Sequence, residues 1–363
     1  MNSRSGPSMH RALCIAGKNL IATNVLQRVR EEFPHIDLCV VPNRTDTGED
    51  GWQPSLIRTA RLMNVPIIGL PEAEGRSDLT FLSLEYDRIV RPERFSSQKL
   101  FNLHFSKLPR YRGVLTSALP ILHGARSTGV TLHLIDHGID TGDIIDAASV
   151  RIQSDWNCRQ LYDALMKEGT ELAMKWMGML LDEAANISAR RQAGRQATYF
   201  SRNAIDYSNM QINCRQTAFQ AYRQVKALAF RAYQLPLLGE IRIANATVST
   251  RRSTSAPGTI ITRDRHASTV ATLDHDLVLW HDQLDAMLAA CRDGDLATAK
   301  GLIRNITHID DEDEEGTTPL LASLQQPDAG LARYFVSKGA DPDRLTRNRI
   351  PVRSLSEARG IKL

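Results

Sequence analysis

The sequence predicts an α/β chain whose first half builds a mainly parallel sheet, and two observations predict it. Short apolar runs recur near residues 11–17, 35–42, 64–70, 81–84 and 100–104. Segments with helical spacing lie between several of them, and strand, helix, strand is the βαβ unit that gives a parallel, twisted sheet. No G-x-G-x-x-G follows the first run, so the crevice at the carboxyl ends of these strands is not predicted to hold a dinucleotide.

Each element has a local cause. RALCIAG at 11–17 is closed by Gly17, and the residues after it place Ile21, Val25, Leu26 and Val29 at helical spacing: strand, turn, helix. Residues 35–42 give a second strand, 53–63 a helix, NVPIIGL at 64–70 a third strand, and 78–90 a further one near Phe81 to Leu84. PNRTDTGEDGWQ at 42–53 is polar and turn-rich. It reads either as a plain surface loop or as a loop reaching over a ligand through Asn43, Asp46 or Trp52. Residues 100–104 form a strand that enters SKLPRYRG, where Pro109 and Gly113 break regular structure. A short helix at 116–123 and strands at 129–135 and 144–152 follow. Residues 156–183 form a long helix burying Leu161, Leu165, Leu172, Trp176, Met179 and Leu180, and a basic connector at 189–195 closes a Rossmann-like first domain, 10–195.

A small mixed α+β middle domain, 196–279, comes next. Ala218, Phe219, Tyr222, Val225, Leu228 and Ala229 share one helical face, Pro236 stops that helix, and 239–249 and 258–278 read as antiparallel strands. From Trp280 the texture changes to short helices: Leu284, Met287, Leu288 and Cys291 make one stripe, and Leu296, Ala299, Leu302 and Ile303 the next. With TTPL at 317–320 and KGADPD at 338–343, the tail 280–363 resembles a stack of about two ankyrin repeats, too few to stand alone and so expected to pack on the body.

Bulk properties exclude several classes. The 363 residues are 42% hydrophobic and 24% charged, with a net charge of +4 spread along the chain, so no nucleic-acid footprint is expected. The five cysteines are scattered without metal-ligand spacing and read as reduced thiols. Residues 1–10 lack an apolar leader and no 18-residue apolar run occurs, so the cytoplasm is the expected compartment and no membrane partner is expected.

The densest chemistry lies at 101–146. Asn102 and His104 are two residues apart on a strand, so they share a face, and an acid-rich loop carries Asp136, His137, Asp140 and Asp143. A neutral imidazole can accept a proton, an amide can donate to an oxyanion, and Asp140 can hold the imidazole in one tautomer. Taken alone, the pair reads as satisfying backbone groups at a strand end, and it is a resemblance that reverses this.

NLHFSKLPRYRG at 102–113 followed by GVTLHLIDHGIDTGDII at 129–145 resembles the signature of the folate-dependent formyltransferases, and the similarity spans most of residues 11–185. The resemblance implies Asn102, His104 and Asp140 as the catalytic trio, N10-formyltetrahydrofolate as formyl donor, and no metal. It places that folate beside Asp136, His137, Gly138 and Thr141 on the loop, and beside Tyr86, Arg88 and Ile89 at a strand end. PNRTDTGEDGW at 42–52, SLEYDRIVRP at 83–92 and LAFRAYQLP at 228–236 look most similar to the branch that formylates nucleotide-linked amino sugars, several of which carry an ankyrin-type tail. The implied acceptor is a dTDP-linked 3- or 4-amino-dideoxyhexose made for O-antigen or another surface polysaccharide.

That acceptor would meet Asn43, Asp46, Trp52, Ser106, Tyr111, Arg112, Phe230, Arg231 and Tyr233, with Arg231 on pyrophosphate and Phe230 or Tyr233 on thymine. The aromatics fit core or dimer packing equally well. His133, on a strand, reads as a satisfied structural histidine, and 239–278 is the expected homodimer interface. Three rival readings stay open, and one of them, glycinamide ribonucleotide formyltransferase, is related but would leave the second half of the chain unexplained. Methionyl-tRNA formyltransferase shares the signature but needs a basic surface. An interaction protein would act through the tail, with Trp280 as a platform for a protein or a second nucleotide.

Overall fold

The computed structural model describes residues 12–363. The reading of residues 1–10 and the first residue of the first apolar run lie outside them. The chain opens with β1 (Ala12–Gly17), α1 (Asn19–Glu32) and β2 (Asp37–Pro42), then α2 (Leu56–Leu62), α3 (Leu70–Gly75), β3 (Leu79–Leu84) and β4 (Leu100–His104). Next come β5 (Arg112–Gly113), α4 (Leu119–Leu122), β6 (Ser127–Leu134), β7 (Ile144–Arg151), the long α5 (Cys158–Leu181) and β8 (Tyr199–Phe200). Two compact units result. One holds the residues up to Thr116 with Ser127–Arg151 and Asp163–Ala204; the other holds Ser117–Arg126, Ile152–Tyr162 and Ile205–Leu363.

In the first unit six strands lie in the order β2-β1-β3-β4-β6-β7. The first four are parallel, whereas β6 runs antiparallel to β4, and β7 antiparallel to β6. The sheet is therefore mixed, because the short 135–143 connection suits a hairpin and a parallel return needs a crossover of about a dozen residues or more. Residues 64–70 are not the expected third strand. Only Ile67 bridges Val40, since Pro66 has no N–H to give a ladder and Pro71 already starts α3. Leu13, Ile15, Phe81, Leu82 and Leu84 are fully buried, each contributing about 1.5–3 kcal/mol of transfer free energy. The chain leaves β1 for β2 on one side and reaches β3 on the other, so strand order reverses between β1 and β3. Such a switch point opens a crevice at the carboxyl ends of the strands.

The second unit is built on α6 (Ala218–Leu228), whose start is fixed by a reciprocal Thr217–Gln220 capping box. Ala221 and Val225 pack against Ile243, Val270, Leu277 and Leu279 of an antiparallel sheet. Its strands are β9 (Leu237–Leu238), β10 (Ile241–Arg252), β11 (Ile260–Arg263), β12 (Ala267–Val270) and β13 (His275–His281), in the order β11-β12-β13-β10-β9. Five short helices complete it: α7 (Leu284–Asp293), α8 (Leu296–Gly301), α9 (Pro319–Ser323), α10 (Gly330–Ser337) and α11 (Val352–Ala358). They close over a core that includes Met287, Leu288, Cys291, Leu320 and Phe335. All five cysteines are buried thiols. Among the described residues no helix is long and apolar enough to cross a membrane.

Candidate active site

β4 delivers Asn102 and His104 to one face, and the hairpin β6–β7 sets Asn102 opposite His133 and His104 opposite Thr131. The turn after β4 is pinned from within. Thr131 Oγ1 donates to the Ser106 carbonyl (2.7 Å) and accepts the Leu108 N–H, while Ser106 Oγ donates to the Arg110 carbonyl (2.6 Å). This brings the Tyr111 carbonyl to 2.7 Å from His104 Nε2. On the other side, the 135–143 loop folds back until Asp140 Oδ1 stands 3.5 Å from His104 Nδ1 and 3.7 Å from His133 Nε2.

The hydrogens follow from the partners. A carbonyl only accepts, so His104 carries its hydrogen on Nε2, and His133, whose Nδ1 is 2.7 Å from the Leu134 carbonyl, carries it on Nδ1. His133 Nε2 then accepts one hydrogen of the Asn102 amide (3.0 Å) and Asp140 Oδ1 the other (3.2 Å). Asn102 Oδ1 makes no hydrogen bond among the described residues. His104 Nδ1 is left facing the carboxylate, which is where an added proton is most stable. Burial holds the imidazole below its ordinary range, against Asp140 and the Tyr111 carbonyl, which lift it. Burial also opposes ionisation of Asp140, but the facing His104 imidazole, the neighbouring His133 ring and the Gly113 N–H outweigh it and hold the carboxyl below its ordinary range.

The backbone around this group is unusual. Glu85, Tyr111, Leu115 and Asp140 all adopt positive φ, between 54° and 64°. Residues held there persist only where the surroundings over-determine them, and they cluster at functional sites. Gly113, at φ +93°, brings its N–H to 2.8 Å from Asp140 Oδ2; a Cβ there would lie 2.2 Å from the Phe200 carbonyl oxygen.

Asn102, His104 and Asp140 open onto a cavity of about 750 Å³ at the carboxyl ends of β1, β3 and β4. Of the residues expected to bind ligands, Asn43, Tyr86, Arg88, Ile89, Asp136 and Gly138 line it. Asn43 also ties the wall together, donating to the Glu85 carbonyl (2.9 Å) and accepting the Asp87 N–H (3.2 Å). Asp87 Oδ1 is buried with no hydrogen-bond partner among the described residues, and Ile89 and Ile139 expose apolar surface along the same cavity.

The other expected contacts do not line the cavity. Thr141 donates to Asp136 (2.6 Å) and shapes the loop, and His137 is exposed beside Glu93 at 3.3 Å. Asp46 caps α2 through Ser55 Oγ and the N–H groups of Leu56 and Ile57, and Trp52 is half-buried in the loop before that helix. Ser106 is buried in its own turn, Tyr111 stacks on Phe200, and the Arg112 guanidinium donates to Gln192.

In the second unit Phe230 is buried against Tyr162 and Tyr233, and Tyr233 is exposed. Arg231 is held between Asp282 and Asp311, so its charge is compensated inside the fold. Trp280 donates its indole N–H to Thr247 (3.0 Å), and Arg304 lies over its ring.

Sequence reasoning missed Lys18 and the 199–203 segment, which line the cavity together with His133, expected as a structural histidine and here bonded to Asn102 and the Leu134 carbonyl. The 199–203 segment arrives because Thr198 Oγ1 accepts the Tyr111 N–H (2.8 Å) and β8 pairs with β5. Among the described residues no group of three His, Cys, Asp or Glu side chains is placed to hold a metal.

Comparison with known proteins converges on one family. The formyl transferase family model matches residues 81–176, and the formyl transferase C-terminal domain model matches residues 204–289. The N-formyltransferase from Helicobacter canadensis, solved with folinic acid and dTDP-3-aminofucose, is 36% identical, with a TM-score of 0.68 over 74% of this chain and 98% of its own. WlaRD, a sugar 3N-formyl transferase solved with dTDP and 5-N-formyl-THF, is 33% identical, with a TM-score of 0.69 over 76% and 98%. Methionyl-tRNA formyltransferase of Coxiella burnetii is 31% identical over 206 residues, 55% of this chain and 63% of that protein. The chain thus spans less than two thirds of the curated relatives it matches.

Proposed function

The chain belongs to the formyl transferase family, and on that footing we propose that it moves a formyl group from N10-formyltetrahydrofolate to the amino group of a dTDP-linked amino-dideoxyhexose. The observation that carries this reading is the Asn102–His104–Asp140 group at the mouth of one cavity. The folate donor, a substrate consumed in the reaction, fits that cavity. The unpartnered Asp87 Oδ1 suits an N–H edge, and Ile89 and Ile139 suit a flat ring. Bound there, it supplies an electrophilic formyl carbon and leaves as the free folate amine.

The residues of the chain manage one proton. Asn102 Oδ1 accepts an N–H of the incoming amine and aims its lone pair. His104 Nδ1 takes a proton from the amine as the new C–N bond forms, and Asp140 stabilises the resulting imidazolium. Asp140 Oδ1 is shared between His104 and Asn102, so its turn towards the imidazolium loosens the 3.2 Å bond from Asn102. One amide hydrogen is then available to the developing oxyanion. The proton held by His104 is returned to the departing nitrogen as the old C–N bond breaks. The expected donation by Asn102 is thereby kept, but only after Asp140 releases it.

The acceptor reading rests on the two solved relatives, which are matched over nearly their whole length and named for 3-amino sugars. They favour a C3 amine over a C4 amine. Methionyl-tRNA is the second reading, on the strength of the curated relatives. The charge balance goes against it: residues 239–278 carry five arginines against four carboxylates, and residues 310–315 are all acidic. Within the same proposal, the tail is ankyrin-like. TTPL starts α9 with Thr318 as its cap, and KGADPD follows α10. A homodimer through the β9–β13 sheet and a role in surface polysaccharide synthesis complete the reading.

Purified protein with N10-formyltetrahydrofolate and a panel of dTDP-3-amino and dTDP-4-amino sugars, read by mass spectrometry, tests it. A mass gain of one formyl group on a 3-amino sugar is the expected result. Formylation of methionyl-tRNA with every sugar left untouched would overturn it.

A further inference from the structure

Asp140 is a non-glycine residue at φ +54°, a conformation that costs of order 1 kcal/mol or more and needs outside support. Its side chain is held by the Gly113 N–H, and its backbone is held by a residue far along the chain. Gln192 Nε2 donates to the Asp140 carbonyl (2.9 Å) and to the Gly142 carbonyl (2.8 Å). Gln192 Oε1 accepts Nε and Nη2 of Arg112 (3.1 and 2.7 Å). Carbonyls only accept and a guanidinium only donates, so the amide has one possible orientation and both of its ends are used.

Resting on the formyl-transfer reading, we propose that Gln192, braced by Arg112, is a positioning residue that holds Asp140 at its working distance from His104. Three observations carry the proposal. Arg112 adjoins Gly113, so one short strand grips the Asp140 carboxylate directly and its carbonyl through Gln192. The anchor beneath Gln192 is firm, because Arg190 and Ile144 exchange two backbone hydrogen bonds of 2.8 Å at the start of β7. The loop has no slack, since a Cβ on Gly142 would lie 1.8 Å from the Leu134 carbonyl oxygen. The positive guanidinium also polarises the amide and strengthens both of its N–H donors. Arg112, expected to touch the acceptor, acts at a distance from it.

Gln192→Glu is the discriminating variant. It keeps the shape and an acceptor for Arg112 but offers no N–H to the two carbonyls. The expected result is a roughly 100-fold fall in kcat, the order of loss for a misplacement of about 1 Å, with KM for both substrates within about threefold. In an Asp140→Asn background the same substitution is expected to cost less than about threefold, because residues acting through one group are not additive. Gln192→Met, which loses both ends of the amide, is expected to show the same non-additivity and serves if the glutamate variant fails to fold.

A third readout is independent of turnover. The His104 imidazole, followed by NMR, titrates at lower pH in Gln192→Met, which adds no charge, than in the wild type, since Asp140 is the larger of the two influences that lift it. Turnover within threefold of wild type, equal losses in both backgrounds, or an unmoved His104 titration would each overturn the positioning role. A wild-type protein that formylates no amine would overturn the reaction instead, and the NMR comparison would still decide on Gln192.

Discussion

Asp140→Asn removes a charge while leaving a side chain of the same shape. The amide oxygen can still accept the Gly113 N–H, but an NH₂ group now meets the Asn102 NH₂ donor against donor and donates to the His104 Nδ1 lone pair that has to take up the proton. At 3.5 Å and an effective dielectric near 20, a carboxylate stabilises an imidazolium by at most about 5 kcal/mol. Relay and reorientation account for about 10²–10⁴ in rate, or roughly 3–5 kcal/mol, which that ceiling accommodates. Single-turnover formyl transfer to a dTDP-3-amino sugar should therefore fall about 10²–10⁴-fold in kcat, with KM within about threefold. The sign of the pH effect also follows. Burial holds His104 below its ordinary range and Asp140 works against that, so removing the carboxylate moves the acid limb of kcat/KM to lower pH. A variant within tenfold of wild-type kcat, or one with an unmoved acid limb, would refute the relay.

Gly113→Ala tests the grip on the same carboxylate. Backbone at φ +93° and a Cβ 2.2 Å from the Phe200 carbonyl should cost about 1–3 kcal/mol, seen as a Tm lower by roughly 2–10 °C together with lost turnover; an unchanged melting curve would count against it. Asp310, buried in the second unit, has its carboxyl pushed up to about 6, first by burial, against the pull of Arg344 and the Asp341 N–H. Its ordinary value is 3.8, so the stability it contributes is fully present below about pH 4 and is lost as pH rises through 6, a swing of about 3 kcal/mol. Asp310→Asn should flatten that dependence in urea melts at pH 5 and pH 8. A steeper dependence in the variant would contradict the assignment.

Much of the site was legible because strand periodicity is short-range. Asn102 and His104 had to share a face whatever the rest of the chain did. Asp140 came from a motif whose resemblance named a role that spacing could not. Asp46, Ser106 and Arg112, expected as ligand contacts, are all engaged inside the fold for a common reason. Each is a polar residue in a loop, and such residues satisfy backbone groups or one another as readily as they meet a ligand. Asp46 caps α2, Ser106 closes its own turn and Arg112 braces Gln192. Arg231 shows the same ambiguity for charge, because only the fold reveals Asp282 and Asp311 beside it.

Local alternation of apolar runs and helical stripes was enough to establish an α/β chain with a crevice at its strand ends, and the spacing of two side chains was enough to mark where chemistry could occur. Tertiary structure alone decided that the sheet finishes with an antiparallel pair, that His133 shares the amide of Asn102, and that Gln192 reaches Asp140 across 52 residues of chain. The physical reason is range. Periodicity is a property of neighbours along the backbone, whereas hydrogen-bond partners are chosen by whichever donors and acceptors the packed elements bring within about 3 Å.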